Sequence, residues 1–452
     1  MNIVILGAGE IGFHLAESLE RERHDVCVIE MDDHLATQVR ERLDVRVVQA
    51  NGATASNLGE AGAAECDIFL GLSSNDHTNL VAASLAKSLG ARTAAARVHG
   101  EVQREEWLFD YRKHFNIDYL FSPERLAAVE LAKFIRNPHA LLVEELARGK
   151  IELQQTAVAA GSRAAGTTLL DLALPPRTRI ALVHRDGNVF VPTAATKLRA
   201  GDAVSLIGAH AKLTRLLPLF QTSGTPEQHH KRVFIFGGGE YGFALAQMLE
   251  SDSFRTRIME SNQTFCDDLS YSLQHTTVIR GDATSVAQLK EEQVGNVDFF
   301  VAATRDDEDN VMTCLQAKNL GAKHCITLIH RADYADAISR NSDQLGIMGA
   351  VSPRVATAKD LLRFLTDERG RALLTFEGGV QITEARVQPG CLVADRKVKE
   401  IRWPAESGLL ALMHRQQAVV PSADDTIAAG DDIVAVVSER SRREVARLLE
   451  PR

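Results

Sequence analysis

The sequence predicts an α/β protein in which a doubly wound parallel sheet occurs twice, each copy followed by a small α+β domain. Short apolar strands alternate with amphipathic helices, a pattern typical of a parallel sheet covered on both faces. The segment VILGAGEIGF, beginning at Val4, returns as FIFGGGEYGF, beginning at Phe234. The same register carries Ser122-Pro123 onto Ser352-Pro353, which indicates an internal duplication.

Length and composition agree with a multidomain globular protein. The 452 residues suggest about three domains and permit four. Apolar residues make up 45% of the chain and aromatic residues only 5%, which excludes a disordered chain and predicts aliphatic cores. The net charge of -9 argues against a nucleic-acid partner, because binding to phosphate backbones needs a basic surface.

No segment approaches the roughly 18 consecutive apolar residues of a membrane-spanning helix, and we expect none. The N-terminal residues read directly as a strand, without the pattern of a secretory leader, so we expect a cytoplasmic protein. The six cysteines contain no Cys-x-x-Cys pair and are predicted to be reduced, buried thiols.

The elements of the first half follow in order. Alternating apolar segments predict strands at 2–6, 25–30, 46–49, 68–72 and 93–98, with helices between them. Gly7-x-Gly9-x-x-Gly12 follows the first strand and opens a helix over residues 11–20, which is the context of a dinucleotide-binding fingerprint. The first half is therefore predicted to be Rossmann-like.

Each fingerprint is followed by an acidic residue at the end of the second strand. Glu30 stands there in the first half, where a carboxylate accepts hydrogen bonds from ribose hydroxyls and repels a 2'-phosphate. The fingerprint residues predicted to hold a nucleotide are Gly7, Ala8, Gly9, Glu10, Ile11 and Gly12 with Glu30, and then Gly237, Gly239, Glu240, Tyr241 and Gly242 with Glu260. The alternative is that one copy is a scaffold without a ligand.

Residues after the other strands complete each predicted pocket, because ligands of open parallel sheets bind beyond the carboxyl ends of the strands. In the first half these are Asn51, Ser73, Ser74, Arg97 and Val98, and in the second Asp282, Ala303, Thr304 and Arg305. Leu328 replaces Arg97, so the two pockets are expected to differ in ligand preference.

Two sequence features resemble metal sites, and we assign a metal to neither. The adjacent His229 and His230 lie in a polar stretch that reads as a linker. The acidic run 306–309 reads better as the first turn of a helix, whose positive N-terminal dipole favours carboxylates.

Each sheet module is followed by a helix that begins at a Ser-Pro pair, Ser122-Pro123 or Ser352-Pro353. An apolar stripe marks both helices, formed by Ala128, Leu131 and Ile135 and by Ala358, Leu361, Leu362 and Leu365. The stripe is buried either in an ordinary core within the chain, against the sister half, or against a second subunit.

The small domains are predicted to contain strands at 151–159, 179–184 and 203–207, and at 382–388, 408–414 and 432–437. They carry no catalytic motif. The predicted domains are 1–120 and 232–350 for nucleotide binding, 121–150 and 351–380 for crossover helices, 151–216 and 381–452 for the small domains, and 217–231 for the linker.

This doubled order of motifs, with Gly281-Asp282-Ala283-Thr284 and the helix start at Asp307-Glu308-Asp309-Asn310, resembles the TrkA family of potassium uptake proteins. That family has two tandem regulator-of-potassium-conductance (RCK) units, each a TrkA-N followed by a TrkA-C domain. The first half departs from the pattern, with Asn51-Gly52-Ala53-Thr54 and Asp76-His77-Thr78-Asn79.

The resemblance implies a peripheral regulatory subunit on the inner face of the cell membrane. It would bind NAD(H), with ATP or ADP as further ligands, assemble as a homotetramer and gate a TrkH/TrkG-like potassium channel subunit. It would have no catalytic residues. Two alternatives stay open: an NAD-dependent oxidoreductase, since a dinucleotide fold alone does not separate enzyme from sensor, and a regulator of another cation transporter.

Overall fold

The computed structural model describes residues 1–451 apart from 101, 103–104, 106–107, 138–141, 148–149, 222–229, 251–252, 366–370 and 415–416. These residues form two compact units, each assembled from both halves of the chain. The first unit comprises Met1–Arg136 and His229–Leu365, and the second comprises Asn137–Gln228 and Thr366–Arg452. Among the described helices, none is both long enough and apolar enough to span a lipid bilayer.

A six-stranded parallel sheet in the order β3-β2-β1-β4-β5-β6 forms the core of the first half. The strands are β1 (Asn2–Leu6), β2 (Asp25–Glu30), β3 (Arg46–Gln49), β4 (Ile68–Gly71), β5 (Thr93–Arg97) and β6 (Tyr119–Phe121). The helices are α1 (Glu10–Arg21), α2 (Asp33–Arg42), α3 (Ala55–Glu60), α4 (Asp76–Leu89) and α5 (Tyr111–Phe115). The doubly wound prediction is confirmed, and the order reverses between β1 and β4, where such sheets bind ligands.

Helix α6 (Pro123–Arg136) begins after Ser122, whose Oγ accepts a hydrogen bond from Arg125 N at 3.2 Å. It ends at Arg136. Asn137 precedes Pro138 in the sequence, and the residue before a proline avoids the helical region. The prediction of crossover helices over 121–150 is therefore wrong in its second part, where Leu142–Leu146 forms strand β7.

The first small domain is a five-stranded antiparallel sheet in the order β10-β9-β11-β8-β7. Its remaining elements are β8 (Ile151–Ala157), β9 (Thr178–Arg185), β10 (Asn188–Phe190), β11 (Ala203–Gly208) and α7 (His210–Leu216). The predicted linker 217–231 starts too early, because Phe220 is fully buried in this domain's apolar core. Residues 222–229, including His229, lie outside the described residues.

The second half repeats the first sheet in the order β14-β13-β12-β15-β16-β17. The strands are β12 (Lys231–Phe236), β13 (Phe254–Glu260), β14 (Thr277–Arg280), β15 (Phe299–Ala302), β16 (His324–Leu328) and β17 (Gly349–Val351). The helices are α8 (Glu240–Met248), α9 (Gln263–Ser272), α10 (Val286–Glu291), α11 (Asp307–Leu320), α12 (Ala332–Arg340) and α13 (Ser342–Leu345). Asp306 caps α11 by accepting a hydrogen bond from Asp309 N, so the acidic run is a helix start as predicted.

Helix α14 (Pro353–Leu365) is followed by strand β18 (Arg371–Thr375), so the prediction of crossover helices over 351–380 is also too long. The second small domain contains the sheet β18-β19-β24-β21-β22 and the pair β20-β23. Its other elements are β19 (Gln381–Arg386), β20 (Arg396–Lys397), β21 (Ser407–His414), β22 (Gln417–Val419), β23 (Thr426–Ile427), β24 (Asp432–Val437) and α15 (Arg442–Leu449).

The crossover helices exchange partners within the first unit. Leu131 and Ile135 of α6 are fully buried in a core that includes Val233 and Leu245 of the second half. Leu361 of α14 is likewise buried against apolar residues of the first half. Of the three packing alternatives, the sister half is therefore correct for the described part of both stripes.

All six cysteines are free and buried, as predicted. Burial raises the pKa of the Cys66 thiol to about 11, with the nearby Asp67 carboxylate adding to the effect. A thiol held neutral in this way is a poor nucleophile. Cys66 therefore serves packing.

Candidate nucleotide-binding sites

The first fingerprint forms the tight loop between β1 and α1. Gly7 has φ of 99°, a left-handed conformation that favours glycine, and its N–H donates to Ile29 O at 2.8 Å. A Cβ on Gly12 would lie 1.9 Å from Gly7 O, so the close approach of helix and loop requires glycine there. A Cβ on Gly9 would meet no atom within 4 Å. Gly9 therefore faces open space in which a ligand can approach the backbone.

The second fingerprint repeats this geometry. Gly237 has φ of 98°, and a Cβ on Gly242 would again lie 1.9 Å from the carbonyl oxygen of Gly237. A Cβ on Gly239 would meet no atom within 4 Å. Since free N–H groups at a helix N-terminus attract anions, the starts of α1 and α8 are both shaped to receive a pyrophosphate.

The acidic residue after the second strand is fixed against each glycine loop. Glu30 Oε2 accepts a hydrogen bond from Ala8 N at 2.6 Å, and Glu30 Oε1 accepts one from Asp32 N at 2.9 Å. Glu260 accepts the equivalent bonds from Gly238 N and Asn262 N at 2.7 and 2.8 Å. Both carboxylates are thus held at the edge where a ribose would lie.

A buried asparagine joins the ends of the fourth and fifth strands in each half. Asn79 Nδ2 donates to Ser73 O and Arg97 O at 2.9 and 3.0 Å, and its Oδ1 accepts the Ser73 hydroxyl at 2.7 Å. Asn310 does the same for Thr304 and Leu328. Ser73 and Thr304 therefore have a structural partner besides any ligand.

Several other predicted residues shape the pocket backbone. The Asn51 side chain accepts a hydrogen bond from Ala53 N, and Asp282 accepts one from Thr284 N, both at 2.9 Å. Ser74 follows Ser73 after the end of β4, and Val98, directly after β5, is fully buried. Val98 thus contributes backbone rather than side chain to the pocket edge.

A cavity of about 1340 Å³ lies at the second fingerprint. Nine of the residues predicted for this site line it: Gly237, Gly239, Glu240, Tyr241, Glu260, Asp282, Ala303, Thr304 and Arg305. Gly242 does not, because it packs under the loop. The cavity is ample for a nucleotide, since ligand sites commonly span about 300–1,000 Å³.

The cavity wall also includes residues that no sequence pattern indicated. Gly100, Ser122, Glu124 and Arg125 come from the first half, and Met248, Phe265 and Tyr271 add apolar surface from the second. The Ser-Pro motif marked the helix start, but no local pattern places Glu124 beside the opposite fingerprint. The second site is therefore built from both halves.

The cavity is rich in negative charge. Its lining carries seven carboxylates and two guanidinium groups: Glu124, Glu240, Glu260, Asp268, Asp282, Asp306 and Asp309 against Arg125 and Arg305. Burial, followed by the Glu124 carboxylate, raises the pKa of Glu240 above its ordinary value. A bound phosphate therefore depends on the α8 N-terminus, the two arginines or an accompanying cation.

Beside the cavity lining, ligating atoms of His99, Glu124 and Glu240 lie within 4.8 Å of one another. Arg97, predicted for the first site, points its guanidinium into this group. Its Nη2 lies 3.4 Å from Glu124 Oε1 and 3.5 Å from His99 Nε2. The Arg97 side chain thus lies beside the second cavity, and its guanidinium compensates part of the acidic charge.

At the first fingerprint, the charge supplied by the other half is positive. Arg354, at the start of α14, places its Nη2 2.6 Å from Glu10 Oε1 and its Nε 3.1 Å from Glu10 Oε2. On the same helix, Asp360 accepts a hydrogen bond from the Tyr119 hydroxyl at 2.6 Å. At the first site the second half therefore supplies the cation Arg354. At the second site the first half supplies the anion Glu124 at the corresponding position.

Known domain families match both halves of the chain. The TrkA-N domain model matches residues 3–123 and 233–353, and the TrkA-C domain model matches 153–221 and 382–450. The chain belongs to the TrkA family. The prediction made from the doubled motifs is thereby confirmed, including the tandem arrangement of two TrkA-N/TrkA-C units.

Full-length relatives support this membership. The chain is 33% identical to the Trk system potassium uptake protein TrkA homolog of Archaeoglobus fulgidus over 435 residues, covering 96% of both chains. It is 31% identical to TrkA of Halomonas elongata over 461 residues, covering 100% of this chain and 99% of that one. Among solved structures, the GsuK channel bound to NAD matches with a TM-score of 0.60 at 18% identity, covering 99% of this chain and 78% of that one.

Proposed function

We propose that this TrkA-family chain is a regulatory subunit of potassium uptake that responds to NAD(H) or adenine nucleotides. The observation that carries the proposal is the cavity at the second fingerprint, where Glu260 and the Gly239 loop present a ribose acceptor and an anion site. The NAD-bound GsuK channel shares the fold. Potassium uptake is the function named for the curated relatives.

Regulation follows from the construction of the cavity. Glu124 and Arg125 come from the first half, and Glu240 and Tyr241 from the second. A ligand that contacts both halves stabilises the arrangement in which both sets of contacts form. Because a ligand shifts an equilibrium only through unequal affinity for its states, such a cavity couples occupancy to the relative position of the halves.

The partner and the assembly are part of the same proposal. The chain would act on a separate TrkH/TrkG-like membrane channel subunit, at the inner face of the cell membrane and as a homotetramer. In this arrangement each crossover segment ends where β7 or β18 begins, and the linker starts after Phe220. The fingerprint residues and the residues after the other strands would contact the nucleotide.

The oxidoreductase alternative makes a different prediction. An enzyme would convert NADH to NAD in the presence of its substrate, whereas a sensor binds the dinucleotide unchanged. Incubating the purified chain with NADH and cell extract metabolites, and following absorbance of the reduced nicotinamide, separates the two. Turnover that is lost in Glu260→Ala would favour the enzyme.

Calorimetric titration of the purified full chain with NADH, ADP and ATP tests nucleotide binding. We expect binding that Glu30→Ala removes at the first site and Glu260→Ala at the second, because each substitution deletes the ribose acceptor. The half-buried Glu17 on α1, paired with Arg21 and outside the predicted site, offers a matched Glu→Ala control. Unaltered binding in both site variants would contradict the assignment of these pockets.

Rubidium uptake at limiting external potassium tests the transport assignment. Cells lacking the gene should lose uptake and regain it with the wild-type chain. Unchanged uptake on deletion, in a strain without a redundant system, would contradict the potassium assignment. A defect in sodium or proton exchange instead would favour a different transporter.

A further inference from the structure

Glu124 and Arg354 occupy equivalent positions in the two halves. Each is the third residue of a Ser-Pro-x motif and lies in the first turn of a crossover helix. Each reaches the fingerprint helix of the opposite half, Arg354 at Glu10 and Glu124 at Glu240. The duplication has therefore placed opposite charges at corresponding points of the two nucleotide sites.

At the first site the arginine is available to a ligand. Arg354, whose side chain is 23% exposed, pairs with Glu10, whose side chain is 63% exposed, so Glu10 can turn into solvent and leave the guanidinium to another partner at little cost. The N-terminus of α1 adds its own attraction for anions. A phosphate bound there can replace Glu10 as the partner of the Arg354 guanidinium.

At the second site the carboxylate is fixed and cannot turn away. Glu124 is buried, accepts a hydrogen bond from the Ser122 hydroxyl at 2.6 Å and lies 3.4 Å from the Arg97 guanidinium. In the sister motif, Ser352 Oγ has no hydrogen-bond partner in the described part of the chain, because residue 354 is not an acceptor. Glu124 and Glu240 thus present two acidic groups to an incoming phosphate, and the Arg97 guanidinium beside Glu124 compensates only part of their charge.

We propose that Arg354 and Glu124 determine which nucleotide each site prefers. The first site favours nucleotides that end in a free phosphate, such as ADP or ATP, which Arg354 contacts. The second site favours NAD(H), whose two phosphates are both internal, and disfavours a terminal phosphate unless a divalent cation accompanies it. A terminal phosphate carries roughly 1.5–2 negative charges at pH 7, so the Glu124–Glu240 pair repels it more strongly than an internal phosphate. This inference rests on the proposed function.

The test isolates one site at a time. Gly239→Val blocks the second site and leaves the first open, and Gly9→Val does the reverse. The fold should tolerate both substitutions, since both glycines have ordinary backbone with φ near −60° and open space at Cβ. The affinities of each variant for ADP and NADH are measured by calorimetry with EDTA present. We expect the Gly239→Val chain to prefer ADP and the Gly9→Val chain to prefer NADH.

Charge substitutions then assign the preference to the two residues. In the Gly239→Val background, Arg354→Gln should weaken ADP binding about tenfold or more and NADH binding far less, whereas Arg354→Lys should retain most of the preference. In the Gly9→Val background, Glu124→Gln should strengthen ADP binding about tenfold. Adding Mg²⁺ should strengthen ADP binding to the unsubstituted second site and not to Glu124→Gln.

Arg340→Gln, an exposed substitution on α12, is the matched control and should change neither affinity. Equal preference at both sites, or preferences that Arg354→Gln and Glu124→Gln leave unchanged, would overturn this inference while nucleotide binding stands. Absence of all nucleotide binding to the wild-type chain would overturn the proposed function together with it.

Discussion

Asp76 Oδ1 lies 2.6 Å from Nδ1 of His99, and the same pair recurs in the second half as Asp307 and His330 at 3.0 Å. Asp76 also accepts the backbone N–H of His99 at 2.9 Å, which ties the start of α4 to the segment after β5. The hydrogen bond to Asp76 raises the pKa of His99, against the effect of burial. For Asp76 burial opposes ionisation, but the bonds from His99 outweigh it and lower the pKa.

The pair gives stability a defined pH dependence. A raised His99 pKa stabilises the fold below the unfolded value of about 6.5, and this contribution is lost as pH rises through the folded pKa. A lowered Asp76 pKa stabilises the fold above about pH 4 and is lost in more acidic solution. The Asp76–His99 pair therefore contributes fully to the stability of the fold between about pH 4 and 6.5.

Asp76→Asn should lower the unfolding free energy by about 1–3 kcal/mol at pH 5.5. The loss should be smaller at pH 9, because the charge on His99 is lost as pH rises through its folded pKa and the substitution then no longer breaks a charged pair. Chemical denaturation at both pH values measures this. Asp110→Asn, which removes a capping carboxylate of α5, should show no such difference. Equal losses for Asp76→Asn at both pH values would contradict the assignment.

The glycines of the second fingerprint should respond differently to the same added methyl group. Gly242→Ala should destabilise the chain by about 2–4 kcal/mol, since its Cβ would lie 1.9 Å from Gly237 O. Gly239→Ala should leave stability nearly unchanged and weaken nucleotide binding. Thermal unfolding and calorimetric titration separate the effects, and similar melting temperatures for both variants would contradict the loop geometry.

The exchanged crossover helices predict that stability of each sheet depends on the opposite half. Leu131→Ala and Leu361→Ala should each cost about 2–5 kcal/mol, because both side chains are fully buried. Val355→Ala, at an exposed position of α14, is the control and should cost little. Hydrogen exchange should show Leu131→Ala loosening the second sheet. Loosening confined to the first sheet would contradict the packing of α6 against the second half.

Local patterns were sufficient to predict both sheets and both glycine loops. The fingerprints, Glu30 and Glu260 each lie close in sequence to the strands that position them, so their spacing predicts their geometry. Strand ends were less certain: β4 and β5 end one residue before their predicted limits. Strands β6 and β17 escaped prediction because such short strands give too little periodicity.

Contacts between the halves could not be predicted from the sequence. Glu124 and Glu240 lie in different halves of the chain, and only the folded crossover helices bring them together. A signal did exist for His99, because Asp76 and His99 repeat as Asp307 and His330 with the same spacing. The contrast between Ser-Pro-Glu and Ser-Pro-Arg was also visible, but its meaning depends on which fingerprint each helix faces.

Nucleotide occupancy of the second cavity is expected to set the rate of potassium uptake. The initial rate of rubidium uptake tests this most directly, in cells that express Gly239→Val, at equal protein abundance, in place of the wild-type chain. Gly59→Val, at an exposed helical glycine with open space at Cβ, is the matched control. We expect a changed rate for Gly239→Val and a wild-type rate for Gly59→Val. A wild-type rate for Gly239→Val, with nucleotide binding at that site abolished, would contradict regulation through this cavity.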